Sequence, residues 1–202
     1  MPHKQPYTAI PRFYDLLDLP FEYGRYRPIR RVMFKDVDGV ILDAGVGTGR
    51  NMAFYPPDAE ITGIDLSPAM LARARQRKAT LSIDTDLFEM DVTDTDFADG
   101  QFDFIIATFL FCVLEDEYQL PALKELRRVC KADGEIRILE YAYSKNSWRR
   151  FVMHLWAPWV RLMYGATFER RTEQYVDAAG LILAEERFLY KDIIKLLILR
   201  RQ

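Results

Sequence analysis

The chain has 202 residues, half of them hydrophobic and 13% aromatic, which suits one domain with a substantial core and excludes global disorder. No apolar run reaches the length of a bilayer span and no hydrophobic leader opens the chain, while Cys112 and Cys130 show neither metal-ligand spacing nor a disulfide framework, so a reducing cytoplasmic setting without a metal is expected. The net charge of −2 hides a segregation, with +4 over residues 1–35, −11 over 36–143 and +5 over 144–171.

In chain order, helices are predicted near 11–18 and 28–35, within an aromatic arm of 35 residues that precedes the first core strand. A strand near 39–44 then leads into a helix near 49–55, and a strand near 61–65 into a helix near 68–78. Strands near 86–90 and 102–107, a helix near 116–131 and a strand near 135–141 continue the alternation. Helices near 147–163 and 172–179 come next, followed by strands near 181–189 and 192–200. Pro11, Pro28, Pro68 and Pro121 suit helix first turns, and Gly180 suits a helix stop. The alternation predicts an α/β fold with a parallel sheet covered on both faces. The last two strands are joined too tightly for a helix, so they must form an antiparallel hairpin.

The stretch from Val40 to Asn51 carries the strongest chemistry. An apolar run breaks into Gly45-Val46-Gly47-Thr48-Gly49, a turn that glycine permits because it lacks a Cβ and tolerates positive φ. Asp65 ends the next predicted strand 20 residues after Gly45, a distance that suits a carboxylate holding ribose hydroxyls. The spacing is G-x-G-x-G rather than the G-x-G-x-x-G of dinucleotide folds.

Leu42-Asp43-Ala44-Gly45-Val46-Gly47-Thr48-Gly49 and Gly63-Ile64-Asp65-Leu66-Ser67 resemble the first two motifs of class I S-adenosylmethionine-dependent methyltransferases. The likeness is to the branch holding ubiquinone/menaquinone C-methyltransferases, bacterial phosphatidylethanolamine N-methyltransferases and thiol methyltransferases, and it runs from about Tyr14 to Arg200. It implies a doubly wound, mostly parallel seven-stranded sheet ending in an antiparallel hairpin, a Rossmann-like fold, with S-adenosyl-L-methionine as the donor. Gly45, Gly47, Gly49 and Asn51 would then lie at the methionine end, with Asp43 holding the turn or the cofactor's amino group. Asp65 would hold the ribose, and Leu66, Met70, Asp91 and Val92 the adenine. Thr108 would border the sulfonium, with Phe109 and Phe111 as apolar walls. Residues 1–35 correspond to a lid, or to an arm merely packed on the sheet.

Methyl transfer needs alignment and exclusion of water, and a proton must also leave the acceptor. Glu140 and His154 are candidate bases, with Tyr14 and Tyr141 as polar positioners; a capped loop and a solvated helix face are the plain alternatives for Glu140 and His154. The segment Ser147–Met163 bears on the acceptor. Trp148, Phe151, Val152, Leu155, Trp156, Trp159 and Met163 recur at helical spacing, flanked by Arg149, Arg150, His154 and Arg161, with Pro158 expected to kink or restart the helix. Such a face either packs on the sheet, lines a pocket for a lipid-like acceptor or lies on an anionic membrane.

The position after strand four reads Thr108-Phe109-Leu110-Phe111 rather than the Asn/Asp-Pro-Pro-Tyr/Phe of nucleic-acid amine methylation, and Cys112 lacks the preceding proline of a cytosine nucleophile. No nucleic-acid partner is expected. The reading is therefore a small-molecule or lipid methyltransferase, cytoplasmic and peripheral at an anionic membrane face. A phosphatidylethanolamine headgroup is the first acceptor, then a quinone precursor or a small thiol. A nicotinamide-dependent oxidoreductase and a non-catalytic cofactor sensor are the readings from other classes.

Overall fold

The computed structural model describes residues 25–164 and 166–202, without the side chains of 162–164. The predicted helix at 11–18 and Tyr14 lie outside the described residues. Strands β1 (Val40–Ala44), β2 (Glu60–Asp65), β3 (Asp86–Glu89), β4 (Phe102–Thr108), β5 (Cys130–Tyr141), β6 (Leu181–Tyr190) and β7 (Ile194–Arg201) form one sheet in the order β3-β2-β1-β4-β5-β7-β6. The first five are parallel, whereas β7 runs antiparallel to both β5 and β6. The α/β fold and the terminal hairpin expected from the sequence are both present.

β1 reads as a nearly continuous apolar run because it is covered on both faces. Ile41 joins a cluster with Ile61, Ile106 and Leu139, which helix α1 (Arg27–Met33) covers through Ile29 and Met33. Leu42 points the other way, to Phe102, Ile105 and Ile136, where Leu123 and Leu126 of helix α3 (Asp116–Val129) pack. Helix α2 (Pro68–Leu81) starts at Ser67, whose side chain accepts from the Met70 N–H, and it buries Leu71 and Ala74.

Several local expectations change. The segment after the glycine turn is a short 3-10 helix, Arg50–Phe54, not an α-helix. Gly49 enters it in a left-handed conformation, and Pro56-Pro57 follow at once, disfavouring a helical residue before them. The predicted helix at 172–179 is two 3-10 turns, Thr172–Tyr175 and Asp177–Ala179, ended by Gly180 at φ +72°. Pro121 lies inside α3, because acidic Asp116 and Glu117 already form its first turn. β5 begins earlier than expected, through a register irregularity opposite Phe102 and Phe104.

Helix α4 (Ser147–Tyr164) runs through Pro158 without restarting. Among its described side chains only Met153 is buried, and Arg149, Ala157 and Val160 on the same side are half-buried. Trp148, Phe151, Leu155, Trp156 and Trp159 are 72%, 60%, 72%, 55% and 38% exposed. Core packing, one of the readings open for this face, is therefore overturned. Arg150, His154 and Arg161 form a strip between the inner and outer sides, and no acidic residue occurs in the helix.

Candidate functional site

Parallel strands deliver their C-terminal ends to one edge, and the chain changes direction between β1 and β4, which pair side by side. Crevices at such a switch point are where doubly wound sheets bind ligands. A cavity of about 170 Å³ opens there. Gly45 and Gly47 end β1, Asp65, Leu66 and Met70 come from the β2–α2 connection, and Asp91 and Val92 follow β3. Thr108 and Phe109 come from the end of β4, and Asn51 from the 3-10 helix. The structure thus brings nine of the eleven predicted cofactor residues to one wall; Asp43 and Gly49 are not on it.

The glycine turn works mainly by shape. Gly47 has φ +56°, and a Cβ there would project into open space, with nothing nearer than the Gly45 carbonyl at 3.9 Å. A side chain at that point would occupy the space a ligand needs. The Val46, Gly47 and Gly49 amides donate within the protein, to the Ile64 carbonyl, the Asp65 carboxylate and the Val46 carbonyl. They brace the turn rather than present themselves to a ligand, and the short 3-10 helix behind supplies little dipole.

Asp65 accepts from the Gly47 N–H at 2.9 Å on Oδ2 and from the Ser67 N–H at 2.8 Å on Oδ1. Burial pushes its pKa up against the pull of those amides. Each carboxylate oxygen keeps a second lone pair for a hydroxyl. Asp91 uses Oδ1 to accept from the Thr93 amide and hydroxyl, both at 2.8 Å, so it holds its own turn while lining the cavity.

Behind the wall lies a polar network that the motifs do not reveal. Asp43 is fully buried and accepts from Tyr55 Oη at 2.6 Å and Asn51 Nδ2 at 2.9 Å. The same Asn51 nitrogen reaches Thr108 Oγ1 at 3.2 Å, and Arg30 Nη1 donates to Asn51 Oδ1 at 2.7 Å. Burial raises the Asp43 pKa to about 6, against the lowering effects of Tyr55, Asn51 and the Arg30 charge. Arg30 lines the cavity and was invisible to sequence reasoning, as were Leu110, Val113 and Leu114, which form its apolar side. Burial of Tyr55 with Asp43 was equally hidden, although the Tyr55-Pro56-Pro57 break marks a fixed turn.

Three other expectations change. Phe111 is fully buried in the core rather than a wall of the cavity. Glu140 is fully buried away from the cavity, 3.1 Å from Lys195 Nζ and accepting from Thr172 Oγ1 at 2.6 Å. Burial pushes its carboxyl up against the attraction of Lys195, and it lacks the access a base requires. His154 sits exposed on α4, its Nδ1 3.2 Å from the Tyr143 hydroxyl, also away from the cavity. Tyr141, by contrast, stacks at 4.7 Å on Phe109, which lines the cavity.

Two carboxylates, apolar walls from Ile64, Leu66, Met70 and Met90, and a glycine turn suit a ligand joining a purine, a ribose and an amino-acid chain. Residues 41–134 match the family model described as a methyltransferase domain. A phosphatidylethanolamine N-methyltransferase from Cereibacter sphaeroides is 36% identical over 105 residues, covering 51% of this chain and 51% of that protein. The chain thus spans about half the length of that relative. A ubiquinone/menaquinone biosynthesis C-methyltransferase, UbiE, from Geotalea daltonii is 32% identical over 174 residues, covering 81% of this chain and 72% of its own length. The solved structure of a SAM dependent methyltransferase from Aquifex aeolicus superposes with a TM-score of 0.70 at 16% identity, covering 94% of this chain and 97% of that one.

Proposed function

The chain belongs to the class I S-adenosylmethionine-dependent methyltransferases, and from that premise we propose that it methylates the amine of a phospholipid headgroup at an anionic membrane face. The outward face of α4 carries this reading. Five large apolar side chains stand in solvent beside Arg150, His154 and Arg161, with no acidic residue on the helix to repel a negative surface. Indole and phenyl rings settle at the boundary of headgroup and acyl chain, and each nearby arginine adds about 1 kcal/mol on an anionic bilayer. Among the described residues no helix is long and apolar enough to cross a membrane, so α4 would lie on the surface.

At the donor end, Asp65 takes the ribose hydroxyls, Asp91 the adenine amino group, and Leu66, Met70 and Val92 the ring faces. Gly45, Gly47 and Asn51 border the methionine portion, and Thr108 the sulfonium. The buried Asp43 acts through Asn51, keeping that side chain and the turn in place. Helix α4, basic and aromatic, covers the acceptor side.

The acceptor nitrogen attacks the methyl carbon with its lone pair as the carbon–sulfur bond breaks toward sulfur. The bond electrons leave with S-adenosylhomocysteine, and the new N–C bond makes the nitrogen cationic. A neutral amine therefore yields a methylammonium that loses a proton to water afterwards, with no enzyme base required.

Labelled methyl transfer to vesicles containing phosphatidylethanolamine and phosphatidylglycerol tests the assignment. Incorporation into the amine is expected, rising with pH because a primary amine ordinarily titrates near about 10. The similarity to the UbiE protein extends over more of this chain than the phosphatidylethanolamine relative does, and it supports a carbon acceptor as the second reading. Transfer to a demethylated quinol and none to the lipid would replace the first reading with the second.

A further inference from the structure

Gln119 stands on the inner face of α3 among Ala122, Leu123, Leu126 and Val129, and it is as fully buried as they are. A buried amide on an apolar face is costly unless its polar atoms are paired, and here both ends are. Its Nε2 donates to the Phe111 carbonyl at 2.7 Å and to the Leu114 carbonyl at 3.1 Å, while Oε1 lies 3.0 Å from the Thr172 hydroxyl.

The two Nε2 bonds hold the connection between β4 and α3, which bears on the donor cavity. Leu110, Val113 and Leu114 of that connection form the apolar side of the cavity. Leu110 also presses on the glycine turn, since a Cβ added at Gly45 would lie 2.9 Å from its Cδ1. The Val113 and Leu114 amides close back on the Leu110 carbonyl at 3.0 and 3.2 Å, so a shift at Leu114 is carried to Leu110.

The other side of the same connection meets the chain returning from α4. The Thr167 N–H donates to the Cys112 carbonyl at 2.9 Å, and Arg170 pairs with Asp116 at 2.7 Å. Thr172 shares its hydroxyl between Gln119 and Glu140 Oε2, the latter 2.6 Å away on β5. Residues 167–172 therefore lie as a strap along residues 112–119. Gln119 has one end of its amide on the cavity connection and the other on this strap.

We propose that Gln119 is a positioning residue for the donor, setting Leu110, Val113 and Leu114 against it and coupling them to the strap of residues 167–172, so that a filled donor cavity tightens the strap. The coupling depends on the donor cavity alone and holds whichever acceptor is methylated. A ligand packed on Leu110, Val113 and Leu114 restricts the connection that carries them. The strap then closes on carbonyls already fixed in place, which costs less conformational entropy than ordering both segments together. Linkage makes the effect reciprocal, so a closed strap favours the donor by the same factor. Because the strap leads back from α4, a bound donor prepares the side of the molecule that receives the acceptor.

Hydrogen–deuterium exchange of the full chain, with and without saturating S-adenosylhomocysteine, tests the coupling. In the wild type, peptides covering residues 166–176 are expected to exchange about 5-fold more slowly with the ligand bound. Gln119→Met, similar in length and without the amide, should bind S-adenosylhomocysteine about 10-fold more weakly by calorimetry and show no slowing of those peptides at saturation. Thr172→Val removes the strap's hydroxyl but keeps its shape, and it should bind the ligand yet lose the slowing. Thr172→Ser, which restores the hydroxyl, should regain it. The two Thr172 variants carry the test if Gln119→Met does not fold. Strap peptides indifferent to the ligand in the wild type, or slowed as much in Thr172→Val as in the wild type, would overturn the coupling and leave Gln119 a core residue.

Discussion

The two sides of this molecule are built by opposite means. The donor side, at the ends of β1 to β4, lies in the acidic part of the chain and is held by buried hydrogen bonds running through Arg30, Asn51, Asp43 and Tyr55. The acceptor side, around α4, is basic and aromatic, and its helix touches the body mainly through the side that carries Met153. Its start is tied by Arg149 to Asp192, and the chain returning from it is pinned by Thr172 on Glu140. A donor that never varies calls for a rigid cradle, whereas a surface that meets a deformable partner can leave its apolar groups exposed.

If that contrast is right, the largest stability effects lie in the pins and the smallest on the outer face. Lys195→Met leaves Glu140 buried without its cation and should cost about 3–5 kcal/mol in denaturant unfolding. The loss should grow with pH as the carboxyl is forced to ionise, and adding Glu140→Gln should recover much of it. Equal stability of the single variant and the wild type would show that the return segment is not anchored there.

Asp43 supplies a pH signature for the donor side. Its folded pKa of about 6 exceeds the ordinary value of 3.8, so the native state holds its proton more tightly. The associated stability is fully present below about pH 3.8 and is lost as pH rises through 6, by at most about 3 kcal/mol at roughly 1.4 kcal/mol per pKa unit. Asp43→Asn removes that dependence, so the stability of the wild type relative to the variant should fall between these values. Parallel pH profiles would contradict the buried network.

Asp65→Ala should weaken S-adenosylhomocysteine binding about 10- to 100-fold by calorimetry, since it removes both the proposed ribose acceptor and the brace on Gly47. Unchanged affinity would end that assignment. Paired Phe151→Ser and Trp156→Ser substitutions should alter stability by less than about 0.5 kcal/mol, because those rings are already solvated. The same pair should abolish binding to anionic vesicles. If it instead changes the sedimentation coefficient of the wild type, the face binds a second copy of the chain rather than lipid.

How much the sequence disclosed follows the same division. The glycine turn and Asp65 were legible because their contacts are local and their backbone demands are specific to residue type. The sheet was legible because strands covered on both faces leave continuous apolar runs. Arg30 was not, since its partner Asn51 lies 21 positions away and an arginine in an early helix has no distinctive pattern. Glu140 was misread for a related reason. Standing near the end of a strand in a parallel sheet suggested the site, but the antiparallel return of β7 sets Lys195 directly opposite it. Pairing across a sheet is a tertiary event that one strand's pattern does not record. The aromatic spacing of α4 was plain, yet spacing alone is the same for a helix facing the core and one facing a bilayer.

The most direct test of the division between the two sides compares labelled methyl transfer by the wild type and the Phe151→Ser/Trp156→Ser variant on two forms of one acceptor. With phosphatidylethanolamine in anionic vesicles, the variant should lose most of its rate at low salt. With a dihexanoyl phosphatidylethanolamine free in solution below its micelle concentration, the two proteins should turn over alike. Equal loss on both forms would contradict the account, because the outer face of α4 would then be part of the catalytic body rather than a separate docking surface.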